Sequence, residues 1–313
     1  MLTAVFGLTG ALIFGAADFL GGLASKRISS MLATAVAAAT GLVALLVALP
    51  LVGGEWSPSA ILWGGLSGIS GAIAISLLYA CLAIGPMSIL SPLTAVVSAI
   101  VPMTVGLVAG ERLALVGYWA LGLALLAVVL VGFVPEKGAV RPSLTGILMA
   151  IGSGIAIGTF MILIDLTPDD SGLIPLVMNR AVNSAIMFSV IGILALLAMS
   201  KRKSLVLAWA AGPADRATSP MADVASARPT TERSMLRAGL RLAMVCGVVD
   251  AAGNFLLLLG LRVGDLSVVS VLTAMYPAGT ILLAAVVLKE RIAPVQWLGL
   301  ALALTAAGML ALA

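Results

Sequence analysis

Three ionisable residues stand inside long stretches that are otherwise apolar: Asp18, Arg180 and Asp250. At membrane depth such a group costs at least about 2.5 kcal/mol on insertion scales, so its presence asks for a function or a partner. Asp250 lies near the midpoint of its stretch, and Asn254 follows one helical turn later on the same face. An acid and an amide so placed can exchange a proton or hold a solute; the alternative is a packing carboxylate bonded to a neighbouring hydroxyl. Asp18 can bind a cation or a proton, or order the helix end at Gly21-Gly22. Arg180, with Asn179 and Asn183 beside it, suits an anionic or carboxylate-bearing solute. It can equally pair with Asp165 or snorkel towards the loop that carries Asp169 and Asp170. Tyr79 and Tyr276 are polar-tipped aromatics in otherwise aliphatic segments. Pro92, Pro102 and Pro277 free backbone carbonyls that a solute, water or neighbouring helices can use.

Several chemistries are excluded. The chain has no histidine, which removes the commonest metal ligand and the usual proton shuttle, so proton transfer must run through carboxylates. Cys81 and Cys246 have no Cys-x-x-Cys partner and read as packing residues. Neither a P-loop nor any recognisable catalytic set occurs, so no enzyme activity, cofactor, metal or nucleic-acid partner is expected.

The elements that must position these residues are membrane spans. Of the 313 residues, 62% are hydrophobic and 10% charged, against roughly 25% charged in soluble domains. Stretches long enough to cross a bilayer recur along the whole chain. They predict ten spans, at about 2–24, 31–52, 60–83, 86–109, 113–134, 143–165, 172–199, 242–260, 266–288 and 294–312. Eight of the nine connections are short; the exception, 200–241, is polar and reads as a mobile loop. Gly64-x-x-x-Gly68 and Gly154-x-x-x-Gly158 permit close helix approach, and they are the sequence basis for expecting a homodimer.

Residues 61–123 align on 240–302 without a gap at a constant offset of 179. Between 85 and 112 the pairs include Ser91/Ser270, Thr94/Thr273, Glu111/Glu290 and Arg112/Arg291, while Asp250 falls on Gly71. An odd number of spans per repeat makes the second copy enter from the opposite side. The expected architecture is therefore all-α, ten transmembrane helices as two inverted five-helix repeats, 1–137 and 138–313, as in many alternating-access carriers.

The string Ala274-Met275-Tyr276-Pro277, followed by Leu288-Lys289-Glu290-Arg291 and Gln296-Trp297-Leu298-Gly299, resembles the closing helices of an EamA-type carrier of the drug/metabolite transporter superfamily. Gly110-Glu111-Arg112 repeats part of it in the first half. The run Phe14-Gly15-Ala16-Ala17-Asp18-Phe19-Leu20-Gly21-Gly22 resembles the opening helix of one bacterial branch. Family members often carry an arginine near the start of the second helix of each half; Arg180 fits, but Met31-Leu32-Ala33-Thr34 has none. The resemblance implies that the helices of Tyr79 and Tyr276 line a central cavity, and by analogy with small multidrug carriers that Asp18 binds a cation or proton.

The expected activity is thus secondary transport of a small organic metabolite or drug-like solute across the cell membrane, as proton-coupled export. The alternatives are facilitated uptake, for example of a sugar, and a non-transporting scaffold or subunit of a lipid-moving complex. Expected partners are the lipid bilayer, the solute, protons and a second copy of the chain. Basic residues are split 14 to 2 between the two sets of loops, which puts both termini outside the cytoplasm. Family resemblance puts them inside.

Overall fold

The computed structural model describes residues 1–84, 87–132, 143–200, 229–289 and 292–312. Its helices are α1 (Leu2–Ser25), α2 (Ser30–Val52), α3 (Pro58–Ile84), α4 (Met87–Ala109), α5 (Leu115–Gly132), α6 (Leu144–Asp165), α7 (Ile174–Ser200), α8 (Pro229–Val263), α9 (Leu266–Thr273), α10 (Tyr276–Val287) and α11 (Pro294–Leu312). With α9 and α10 taken as one crossing, ten spans are long and apolar enough to cross a membrane. In hydrocarbon every backbone N–H and C=O must be satisfied within the protein, and helices do this within one segment. Several starts are fixed by serine caps: Ser29 accepts from the Leu32 N–H, Ser57 from Ala60 and Ser143 from Gly146.

The fold is two inverted five-helix repeats, and the helix pairings show the symmetry. Helix α1 packs on α8 as α6 packs on α3; α2 packs on α8 as α7 packs on α3; α4 packs on α6 as α9 and α10 pack on α1. The remaining large contacts, α5 with α11, α2 with α7 and α4 with α9, pair each element with its own counterpart. Exchanging the halves maps this set of contacts onto itself.

The repeat reaches down to single backbone angles. Gly110 has φ +110, and its counterpart Lys289 has φ +57, the one positive-φ non-glycine among the described residues. Both positions end a span and turn the chain back ahead of a Glu-Arg pair. Glycine takes this conformation freely, whereas a side chain there is strained by roughly 1–2 kcal/mol. Lys289→Gly is therefore expected to raise the thermal unfolding temperature of the detergent-solubilised protein by the equivalent of about 1 kcal/mol; an unchanged or lower temperature would contradict this.

Two segments differ from the sequence expectation. Helix α8 starts at Pro229, so residues 229–241, expected as loop, are its first turns. Its 35 residues span about 52 Å at ~1.5 Å per residue, more than the roughly 30 Å hydrocarbon core, so one end projects beyond the bilayer. The apolar stretch marked only the buried part; the polar turns before it carry no hydropathy signal. The ninth span is broken at Ala274-Met275, where the Met275 N–H turns back to Leu272 O at 3.1 Å. Pro277, next to the start of α10, has no N–H to carry the ladder across this point. Arg216 and Arg228, in the loop on which most of the charge asymmetry rests, lie outside the described residues.

Both glycine motifs are used inside the chain. A Cβ on Gly64 would lie 2.6 Å from Pro175 O, and one on Gly68 would lie 2.5 Å from Asn179 O. Gly154 and Gly158 likewise press α6 against Val97 and Val101 of α4. Neither motif offers a free face to a second copy.

Candidate functional site

At the centre of the bundle, between the two halves, lies a cavity of about 210 Å³. Helices α1, α3, α4, α6, α7, α8, α9 and α10 all contribute to its wall. Of the candidate site residues singled out from sequence, Asp18, Asn179, Arg180, Asn183, Asp250, Asn254 and Tyr276 line it. Tyr79 lies on α3, and its side chain falls outside the described ones.

The charges are arranged in a specific way. A guanidinium nitrogen of Arg180 donates to a carboxylate oxygen of Asp250 in a close ion pair between α7 and α8. Gly41 of α2 lets α8 pack close beside the pair, since a Cβ at that position would lie 2.9 Å from Gly247 O. Arg180 is therefore not the residue that holds the loop with Asp165 and Asp169. Arg262 does that, donating to Thr167 O at 2.6 Å, Pro168 O at 3.0 Å and Asp169 Oδ1 at 3.3 Å. The α7 register turns Arg180 inward, across the bundle, instead of along it.

Asn254 does not bond the Asp250 carboxylate; its Nδ2 donates to the Asp250 backbone carbonyl at 2.8 Å. Asn179 donates to Ser67 Oγ at 2.8 Å and so is committed to α3. Asn183 is different. It is 4% exposed, its Oδ1 has no partner, and it lines the cavity. Thr273, at the break in the ninth span, is 6% exposed with an equally unpartnered hydroxyl on the cavity wall. Asp18 is exposed to the cavity and, among the described residues, makes neither an ion pair nor a hydrogen bond. It interacts electrostatically with Asp250 and Tyr276, which places both acids in one field. Phe14, one turn before Asp18 on the same face, and Phe160 add aromatic walls.

The repeat governs which positions face inward. Gly71, Ile75 and Leu78 of α3 line the cavity, as do their counterparts Asp250, Asn254 and Leu257 of α8. The same face is used twice, but only the second half carries polar groups on it. Gly71 has a reason to lack a side chain, because a Cβ there would sit 3.2 Å from Asn183 Nδ2. Ser98, Ser270 and Thr273 were not singled out from sequence, although the identical pairs Ser91/Ser270 and Thr94/Thr273 were a signal available there.

The model of the EamA-like transporter family matches residues 144–312. This chain belongs to the EamA-like transporter family. The family sits in the drug/metabolite transporter superfamily, and its members are membrane transporters, which makes the chain a multi-pass membrane protein whose work is on small solutes. A protein of known crystal structure, 15% identical, matches the fold with a TM-score of 0.66 over 99% of this chain and 96% of its own. That likeness is one of fold, and it covers the first half as well, which the family model does not reach. No curated protein matches the sequence.

Proposed function

We propose that this EamA-like protein is a secondary carrier that exports a metabolite-sized solute from a bacterial cell by alternating access, driven by protons entering through Asp18. The observation that carries the reading is the charge balance of the cavity: two carboxylates, Asp18 and Asp250, face one guanidinium, Arg180, which is already paired with Asp250. One acid is left over. It suits a proton or the cationic or donor-rich end of a solute, not both at once, and such competition is what couples opposite fluxes. The unpartnered Asn183 Oδ1 and Thr273 hydroxyl would accept further donors of that solute, and Phe14 and Tyr276 can flank a cation. A carboxylate-bearing solute is disfavoured, because Arg180 already has its anion. The cavity is below the roughly 300–1,000 Å³ of drug-sized sites, which favours small metabolites over larger drug-like molecules.

The test is a solute screen in sealed proteoliposomes, with and without an imposed pH gradient. Small amines should accumulate in vesicles acidic inside, whereas sugars and carboxylates should not. Movement that ignores the pH gradient would mean facilitated transport, and no movement of any solute would favour a scaffold role.

A further inference from the structure

Helix α9 is held at its N-terminus by the other half of the protein. The first residues of a helix leave N–H groups without partners, normally satisfied by the side chain at the N-cap. The N-cap here is Asp265, and its side chain makes no such bond. Glu111, in the connection after α4, takes its place: Oε1 accepts the Leu266 N–H at 2.7 Å and Oε2 accepts the Ser267 N–H at 3.0 Å. Asp265 stays outside, where burial and then the Glu111 charge hold its carboxyl above its usual range.

The sequence around Glu111 is built for this reach. Gly110 turns the chain at φ +110, the Glu111 N–H bonds back to Gly106 O at 3.1 Å, and a Cβ at Gly106 would collide with the Glu111 carboxylate. The helix that is held is also a separable piece. It is eight residues long, all buried, contributes Ser270 and Thr273 to the cavity wall, and ends at the break at Ala274-Met275. Its upstream neighbour α8 is anchored independently, through Arg262 and the 167–169 loop.

We infer that Glu111 is the latch of a gate, with α9 as the moving part and the 274–275 break as its hinge. While both carboxylate bonds hold, α9 lies against α4 and shuts the cavity on the side where α4 ends and α9 begins. When they release, α9 swings and the cavity opens to that side. The latch joins the two repeats, which is where an alternating-access cycle must change its contacts; the inference rests on that reading of the fold. Glu111 touches no solute and acts through α9, as a positioning residue.

Full-length protein carrying Cys81→Ala, Cys246→Ala and a reporter Ser270→Cys, reconstituted in vesicles, is labelled by a membrane-impermeant maleimide from each face separately. Hydrogen exchange of residues 264–275 is followed in the same proteins. Glu111→Ala should speed labelling from the Glu111 side, and exchange in 264–275, roughly five- to thirty-fold, the range expected for loss of a helix cap. It should slow labelling from the opposite face, because the two open states compete. Glu111→Gln, which keeps one acceptor oxygen, should fall between. Faster labelling from both faces, exchange raised along the whole chain, or no change would overturn the latch. None of these readouts needs a transported solute, so a failure of the transport proposal would be seen separately, in the vesicle screen.

Discussion

Asp18→Asn is expected to abolish accumulation driven by a pH gradient while leaving downhill exchange of solute across the vesicle membrane measurable. The asparagine keeps the size and hydrogen-bonding capacity of the side chain but cannot take up or give back a proton. Competition between solute and proton ends, and with it the coupling. The variant should also become insensitive to external pH where the native protein is not. Asp250, near the midpoint of its stretch, is the more conspicuous acid in the sequence, yet it is not the one proposed to exchange the proton. The ion pair with Arg180 is the reason: the Asp250 carboxylate already faces a guanidinium, whereas among the described residues Asp18 has neither an ion-pair nor a hydrogen-bond partner. Full gradient-driven accumulation by Asp18→Asn would remove this residue from the coupling.

Arg180→Ala is expected to be the most destabilising of the cavity substitutions. It leaves the Asp250 charge beside a second acid with no other cation among the described residues lining the cavity, and removing one partner of this part-buried pair costs up to about 3–5 kcal/mol, the range for a fully buried one. The neutral double variant Arg180→Gln with Asp250→Asn should recover most of this loss, because neither group is then left charged and alone. Thermal unfolding in detergent of the native protein, Arg180→Gln, Asp250→Asn and their double variant closes the cycle, and a coupling energy near zero would show the pair to be solvated and without weight. Transport gives an independent readout. Asp250→Asn alone frees Arg180, and the other acid lining the cavity is Asp18; Cys246 interacts electrostatically with all three charged groups, which sets them in one neighbourhood. Coupling should therefore be lost in Asp250→Asn and regained when Arg180→Gln is added. Were Asp250 itself the exchanging acid, the double variant would stay uncoupled.

The spans and the inverted repeat were legible in the sequence because both depend on local or internally repeated information. Apolar runs mark the helices, and the pairs from Gly85/Gly264 to Arg112/Arg291 mark the duplication. Candidate site residues were legible for a related reason, since a charge inside an apolar run is conspicuous. What the sequence could not give was partnership. Arg180 and Asp250 are separated by 70 positions, and nothing local distinguishes a bond to Asp250 from one to Asp165. The same holds for Glu111, which in the sequence is only a member of the repeated Glu-Arg pair; its partner, the α9 N-terminus, lies 155 positions away. The break in the ninth span was half visible, in Pro277, but a proline inside a membrane helix can also be absorbed as a kink. The first turns of α8 were invisible to hydropathy because they lie beyond the apolar segment and are polar.

The central claim is that one acid, Asp18, exchanges one proton for each solute moved. It is tested most directly by recording solute flux and the pH change inside the same vesicles, with a trapped pH indicator and a labelled amine found in the screen. The account predicts one proton moved against each solute in the native protein and in the Arg180→Gln/Asp250→Asn variant, and solute exchange without proton movement in Asp18→Asn. Solute flux with no accompanying proton flux in the native protein would contradict it.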